Sequence, residues 1–208
     1  MSNAARGLKR GLVIAIVLLV AAFAWISLSG WLGRDGSDGA NGTDGIGEVS
    51  IGGPFSLTDQ DGRSVTEKDF AGKLMLVYFG FTSCPDICPT ALQTVAIALD
   101  ELGADVEKVT PILISIDPER DTPPVMKEYV ASFHERMVGL TGTPEQVAAA
   151  ARAYRVYYQK VQLQGSSLEY SVDHSGFLYL MDRNGKYLAH FRHNSTPEEI
   201  VKKLKASL

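Results

Sequence analysis

Two cysteines, Cys84 and Cys88, are all the thiol that this 208-residue chain carries. So few exclude a disulfide-dense scaffold, and two thiolates alone do not complete a zinc or iron–sulfur site. Acid is missing from the start: no Asp or Glu precedes Arg34. Arg6, Lys9 and Arg10 are the basic residues there, which leaves 17 of the 20 Lys and Arg against all 24 Asp and Glu in residues 34–208, a net of −7. A domain of that sign is a poor nucleic-acid binder. Long apolar runs are scarce too. Gly11–Leu32 is uncharged throughout, and as a helix it would span roughly 33 Å against a bilayer core of roughly 30 Å. Ala22-Phe-Ala24 offers a small-x-small cleavage site, but apolar character continues through Trp25, Ile26, Leu28, Trp31 and Leu32. That continuation predicts an uncleaved single-pass anchor with interfacial tryptophans.

The basic flank predicts that residues 1–10 stay in the cytoplasm and that everything after the 11–32 span is exported. A short N-terminus without an Arg- and Ser-rich presequence points to a bacterial inner membrane, with the domain in the periplasm. Residues 33–50 hold six glycines and almost nothing to bury, which reads as a flexible tether. The folded domain is expected over 51–208, with Asp61-Gly62 marking an N-terminal hairpin. Leu74–Gly80 reads as a buried strand and Thr90–Leu102 as an amphipathic helix. Val109–Ile116 is a strand starting at or after Pro111, and Val125–Phe133 a helix. Met137–Leu140, Val156–Val161, Phe177–Met181 and Tyr187–Phe191 read as strands. Thr143 and Thr196, each followed by Pro and Glu, open the remaining helices. This βαβ-plus-ββα order predicts an α/β, thioredoxin-like fold with an N-terminal β-hairpin and an inserted βα unit.

Chemistry concentrates in Phe81-Thr-Ser-Cys-Pro-Asp-Ile-Cys-Pro89, between a strand and a helix. A residue before proline is pushed out of the α region, so Cys84 and Cys88 are both expected to be extended, with Pro89 at the first helical position. The helix dipole and free N–H groups would then favour a thiolate. Such a pair can cycle between dithiol and disulfide, or ligate a soft ion. His174, in Ser171-Val-Asp-His-Ser-Gly176, precedes the strand whose connection approaches the cysteine loop in a thioredoxin-like fold. It can supply a nitrogen or serve as a turn histidine, and spacing leaves both open. His190 and His193 make a loose Cys-x3-Cys…His-x2-His pattern and read as solvated, and His134 reads as a cation at a helix C-terminus. Asp86 and Asp173 can orient a ligand or build turns. Asp117 and Asp121 read as the turn and cap after the second strand.

The cysteine stretch, Ser115-Ile-Asp-Pro-Glu-Arg-Asp-Thr-Pro123 and Val172-Asp-His-Ser175 together resemble the three signatures of the Sco/SenC family, in the family's order. Thioredoxins fit less well: this chain has three residues between the cysteines and no proline from Glu145 to Thr196. A peroxiredoxin motif would need Pro and Thr where Val77 and Phe81 stand. The Sco/SenC resemblance implies a membrane-anchored metallochaperone with copper ligands Cys84, Cys88 and His174. It would carry Cu(I), with Cu(II) as a second state, to the CuA domain of cytochrome c oxidase subunit II. Another copper carrier or a thiol reductant would be a further partner. The alternative it implies is a thiol–disulfide oxidoreductase in which Cys84 attacks and Cys88 resolves.

Overall fold

The computed structural model describes Trp25 and residues 50–165 and 168–208. The expected cytoplasmic start, the 11–32 span apart from Trp25, and the tether apart from Ser50 lie outside the described residues. Among the described residues, no helix is long and apolar enough to cross a membrane.

The domain runs β1 (Ser56–Asp59), β2 (Ser64–Thr66), a 3-10 turn (Glu67–Phe70), β3 (Leu74–Gly80), α1 (Ile87–Leu102), a second 3-10 segment (Gly103–Lys108) and β4 (Val109–Ser115). It continues through α2 (Pro123–Ala131), β5 (Val138–Thr141), α3 (Pro144–Ala153), β6 (Tyr158–Gln162), β7 (Tyr170–His174), β8 (Phe177–Met181), β9 (Tyr187–Arg192) and α4 (Pro197–Lys205). Seven strands form one sheet in the order β2-β1-β5-β4-β3-β8-β9, and β6 and β7 form a separate pair.

A run without a polar position must be covered on both faces, and β3 is: all seven of its residues are buried. It pairs in parallel with β4 and antiparallel with β8, which puts it inside the sheet. α1 buries Leu92, Val95 and Leu99 on one stripe and packs along α4, which contributes Ile200, Val201 and Leu204. Thr143 and Thr196 each close a capping box, with Gln146 and Glu199 respectively, and proline follows each cap. The β3-α1-β4 and β8-β9-α4 units make the domain thioredoxin-like. The hairpin β1-β2 is added at the front, and the α2-β5-α3 stretch is inserted.

Two expectations are corrected. β4 starts at Val109, with Pro111 inside it. The β4-β5 ladder covers only Ile112–Ile114, so that edge of β4 is still open at Pro111 and a missing N–H there is tolerated. Tyr170–His174, read as a connection, is strand β7, paired residue for residue with Tyr158–Gln162. Outside the main sheet, such a strand needs only one partner and carries little of the buried alternation that marks a strand in sequence.

Candidate metal centre

The buried strand β3 ends at Gly80, and the chain turns before α1. The Cys84 N–H donates to the Phe81 carbonyl, 3.3 Å, which folds the cysteine back over the helix start. α1 begins at Ile87, so Cys88 lies inside its first turn and not in an extended segment, and Pro89 is its third residue. Proline is tolerated anywhere in a first turn, because those N–H groups have no acceptor within the helix. One of these free donors, the Cys88 N–H, points at Cys84 Sγ from 3.4 Å.

The two sulfurs are thereby made unlike. A hydrogen bond from the Cys88 thiol, the N–H groups of Cys88 and Asp86, and the nearby His174 lower the Cys84 thiol to about 5, against the opposing effect of burial. Cys88 is pushed far up by its bond to Cys84 and by burial, and its residue is fully enclosed. The Tyr78 hydroxyl donates toward Cys88 Sγ over 3.8 Å. Gly80 gives that contact its room: a Cβ there would stand 3.0 Å from Cys88 Sγ and 2.9 Å from Tyr78 Cε1.

His174 closes β7 with its ring edge-on to Tyr78 and Phe81, at centroid distances of 6.2 and 6.0 Å. Its Nδ1 lies 3.4 Å from the Val172 carbonyl, while Nε2 is buried without a hydrogen-bond partner among the described residues. Nδ1–H donation to that carbonyl leaves the Nε2 lone pair free. Burial holds the imidazole pKa below its usual value, outweighing the Val172 carbonyl and the Cys84 charge, so the neutral, ligating form dominates at pH 7.

Cys84 and His174 open onto one cleft, whose walls are Phe81 and Cys84–Ile87 on one side and the Ser171–His174 segment on the other. Asp86, Asp173 and His193 also line it. Cys88 sits beneath, reached through Cys84 and Tyr78. As placed, no three His, Cys, Asp or Glu side chains among the described residues are gathered closely enough to hold an ion. His190 is turned elsewhere, with Nδ1 2.6 Å from the Tyr187 hydroxyl and its ring against Phe177. His134 follows α2, where its Nε2 lies 3.6 Å from Asp100. His193 is exposed, as expected of a solvated residue, yet it lies on the cleft. The sequence gives no hint of Tyr78, which looks like any core residue of an apolar strand, or of the reach of Asp117 and Asp121 described below.

Comparison with known proteins gives the family. The family described as SCO1/SenC matches residues 43–208. A Rickettsia felis protein named "SCO2-like protein" is 45% identical over 159 residues, 76% of this chain and 78% of the relative. The human "Protein SCO1 homolog, mitochondrial" is 44% identical over 158 residues, 75% of this chain and 52% of the relative. Among solved structures, Bradyrhizobium japonicum ScoI with copper bound is 46% identical, with a TM-score of 0.71 over 76% of this chain and 100% of that one. Yeast Sco1 with copper bound is 40% identical, with a TM-score of 0.70 over 76% of this chain and 87% of that one. By profile, identity and fold alike, the chain belongs to the SCO1/SenC family.

Proposed function

We propose that this chain is a copper-binding assembly factor for cytochrome c oxidase. It holds copper as cargo through Cys84, Cys88 and His174 and passes it to the CuA domain of oxidase subunit II. The observation that carries this reading is that Cys84, held as a thiolate, and His174, whose buried Nε2 has no hydrogen-bond partner among the described residues, line one cleft. Two soft sulfurs and one nitrogen suit Cu(I). Solved relatives from Bradyrhizobium, Arabidopsis and yeast hold copper, and a further relative, 25% identical with a TM-score of 0.61, belongs to a family described as cytochrome c oxidase assembly proteins. Ligation would draw His174 and the inward-facing Cys88 toward Cys84. An open, three-coordinate site suits release, since incoming thiolates can replace its ligands one at a time. The 11–32 anchor would hold the domain outside the inner membrane, on the side where an oxidase CuA domain stands. The test is transfer: the copper-loaded domain is mixed with reduced apo-CuA domain, ferricyanide is then added to remove one electron from any Cu(I) pair formed, and the mixed-valence CuA absorption is followed. Appearance of that spectrum supports the reading, and copper retained by this chain at excess acceptor contradicts it.

One observation favours a second activity on the same residues. A thiol held near 5 is a thiolate at neutral pH, able to attack a disulfide. Cys84 would form a mixed disulfide and release one partner thiolate. Cys88 would then lose its proton, attack the Cys84 sulfur and release the second. Two electrons pass from this dithiol to the partner's disulfide, and the chain is left with a Cys84–Cys88 bond. His174 is not needed for these steps, so His174→Ala separates the two activities.

A further inference from the structure

The cysteines and His174 stand on different pieces of the fold. The cysteines follow the central strand β3. His174 ends a two-stranded ribbon that shares no ladder with the main sheet and in which Val172 is the only buried residue of the two strands. The ribbon is tied to the sheet at its His174 end, by ring contacts with Tyr78 and Phe81 and by the short step into β8, and a second tie holds its other end.

The turn after β4 reaches both the cysteine loop and the ribbon. Asp121, fully buried, accepts from the Thr82 N–H at 3.1 Å, the Thr82 hydroxyl at 2.6 Å and the Ser115 hydroxyl at 2.6 Å. Thr82 stands two residues before Cys84. Asp117, also fully buried, accepts from the Tyr170 hydroxyl at 2.8 Å and from Arg120 Nε. Arg120 donates onward to the Tyr170 carbonyl, 3.1 Å, and its guanidinium lies 4.0 Å from the Tyr170 ring centroid. Tyr170 opens the strand that His174 closes. The turn is itself fastened, with the Arg120 and Asp121 N–H groups both donating to the Asp117 carbonyl.

We infer that the Asp117–Asp121 turn is a yoke between the two halves of the copper site, with Arg120 and Tyr170 as positioning residues that set copper affinity through His174 without touching the ion. An aspartate that only shaped a turn would not need to be buried against side chains of two other segments. Here one carboxylate grips the cysteine loop and the other, with Arg120, grips the ribbon. The inference rests on the copper-binding reading proposed above.

The test is a double-mutant cycle on the full-length chain in detergent, with Cu(I) affinity measured by competition against a chelator. Tyr170→Phe keeps the ring and its stacking and removes only the hydroxyl that reaches Asp117. Arg120→Lys keeps the charge and loses the planar fork. Each should weaken copper binding about 10-fold, the lower end of what supporting partners of a metal ligand contribute. Each should also shift the electron paramagnetic resonance spectrum of the Cu(II) form. Neither should lower affinity further in a His174→Ala background, because the ligand through which they act is gone. Wild-type affinity and spectrum in Tyr170→Phe, or an equal loss in both backgrounds, would overturn the yoke. A wild-type chain that takes up no copper would instead overturn the underlying reading, and the yoke with it.

Discussion

Cys84 and Cys88 are the same residue type in opposite states, because one meets N–H donors at a helix start and the other lies enclosed against a phenol. Alkylation should report this directly. Iodoacetamide at pH 6.5 should label Cys84 alone in the reduced protein, and peptide mass spectra should find Cys88 unmodified until unfolding. Labelling of Cys88 first, or a Cys84 rate that rises only above pH 8, would contradict the assignment. The same shifts fix a direction for stability. Cys84 is lowered from 9.0 to about 5 and His174 is lowered from 6.5, so the unfolded chain binds more protons than the folded one as pH falls. The Cys84 contribution is complete above its unfolded value and is lost as pH falls through about 5, and His174 adds to the loss below 6.5. Urea midpoints of the apo domain should therefore fall from pH 8 to pH 5, and less steeply in Cys84→Ser. A midpoint that rises on acidification would contradict the arrangement.

At the scale of elements, β3 does two jobs. It fills the core with Leu76, Val77 and Phe79, and it ends at the one position where only a missing side chain lets Tyr78 meet Cys88. Gly80→Ala should therefore cost more than its chemistry suggests: about 1–3 kcal/mol from overpacking, with copper affinity reduced as Cys88 is displaced. Thermal unfolding and copper titration of the same variant check both, and wild-type copper affinity would show that Cys88 is not held as described. Strand β3, helix α1 and the threonine caps of α3 and α4 were legible in the sequence because hydrophobic period and cap chemistry are local signals. Cys88 at the helix start was legible to within a turn, but the extended conformation expected before Pro89 gave way because a first turn tolerates proline. Strand β7 was not legible, since Ser171, Asp173 and His174 favour turns, whereas its more exposed partner β6 was marked by the β-favouring Val156, Tyr157, Tyr158 and Val161. The burial of Asp117 and Asp121 was hidden for a different reason: their partners Thr82 and Tyr170 lie 39 and 53 residues away along the chain.

For the whole molecule, the basic start and the uncharged Gly11–Leu32 run predict export of everything after the span. An alkaline phosphatase fusion after Leu208 should be active and membrane-bound, and an inactive one would remove both the periplasmic location and the oxidase partner. The domain that follows lines one cleft with Cys84 and His174, the latter with a buried Nε2 that has no hydrogen-bond partner among the described residues, and the central claim is that copper binds there. The most direct test is Cu(I) stoichiometry and affinity of the reduced domain, measured side by side for wild type, Cys84→Ser, Cys88→Ser and His174→Ala. One copper per wild-type chain is expected, with tight binding abolished in either cysteine variant. His174→Ala should bind at least about 10–100-fold more weakly, or roughly 1.4–2.7 kcal/mol, because removing a ligand costs no less than removing its support. Unchanged affinity in His174→Ala, or tight binding that survives loss of either cysteine, would contradict the claim.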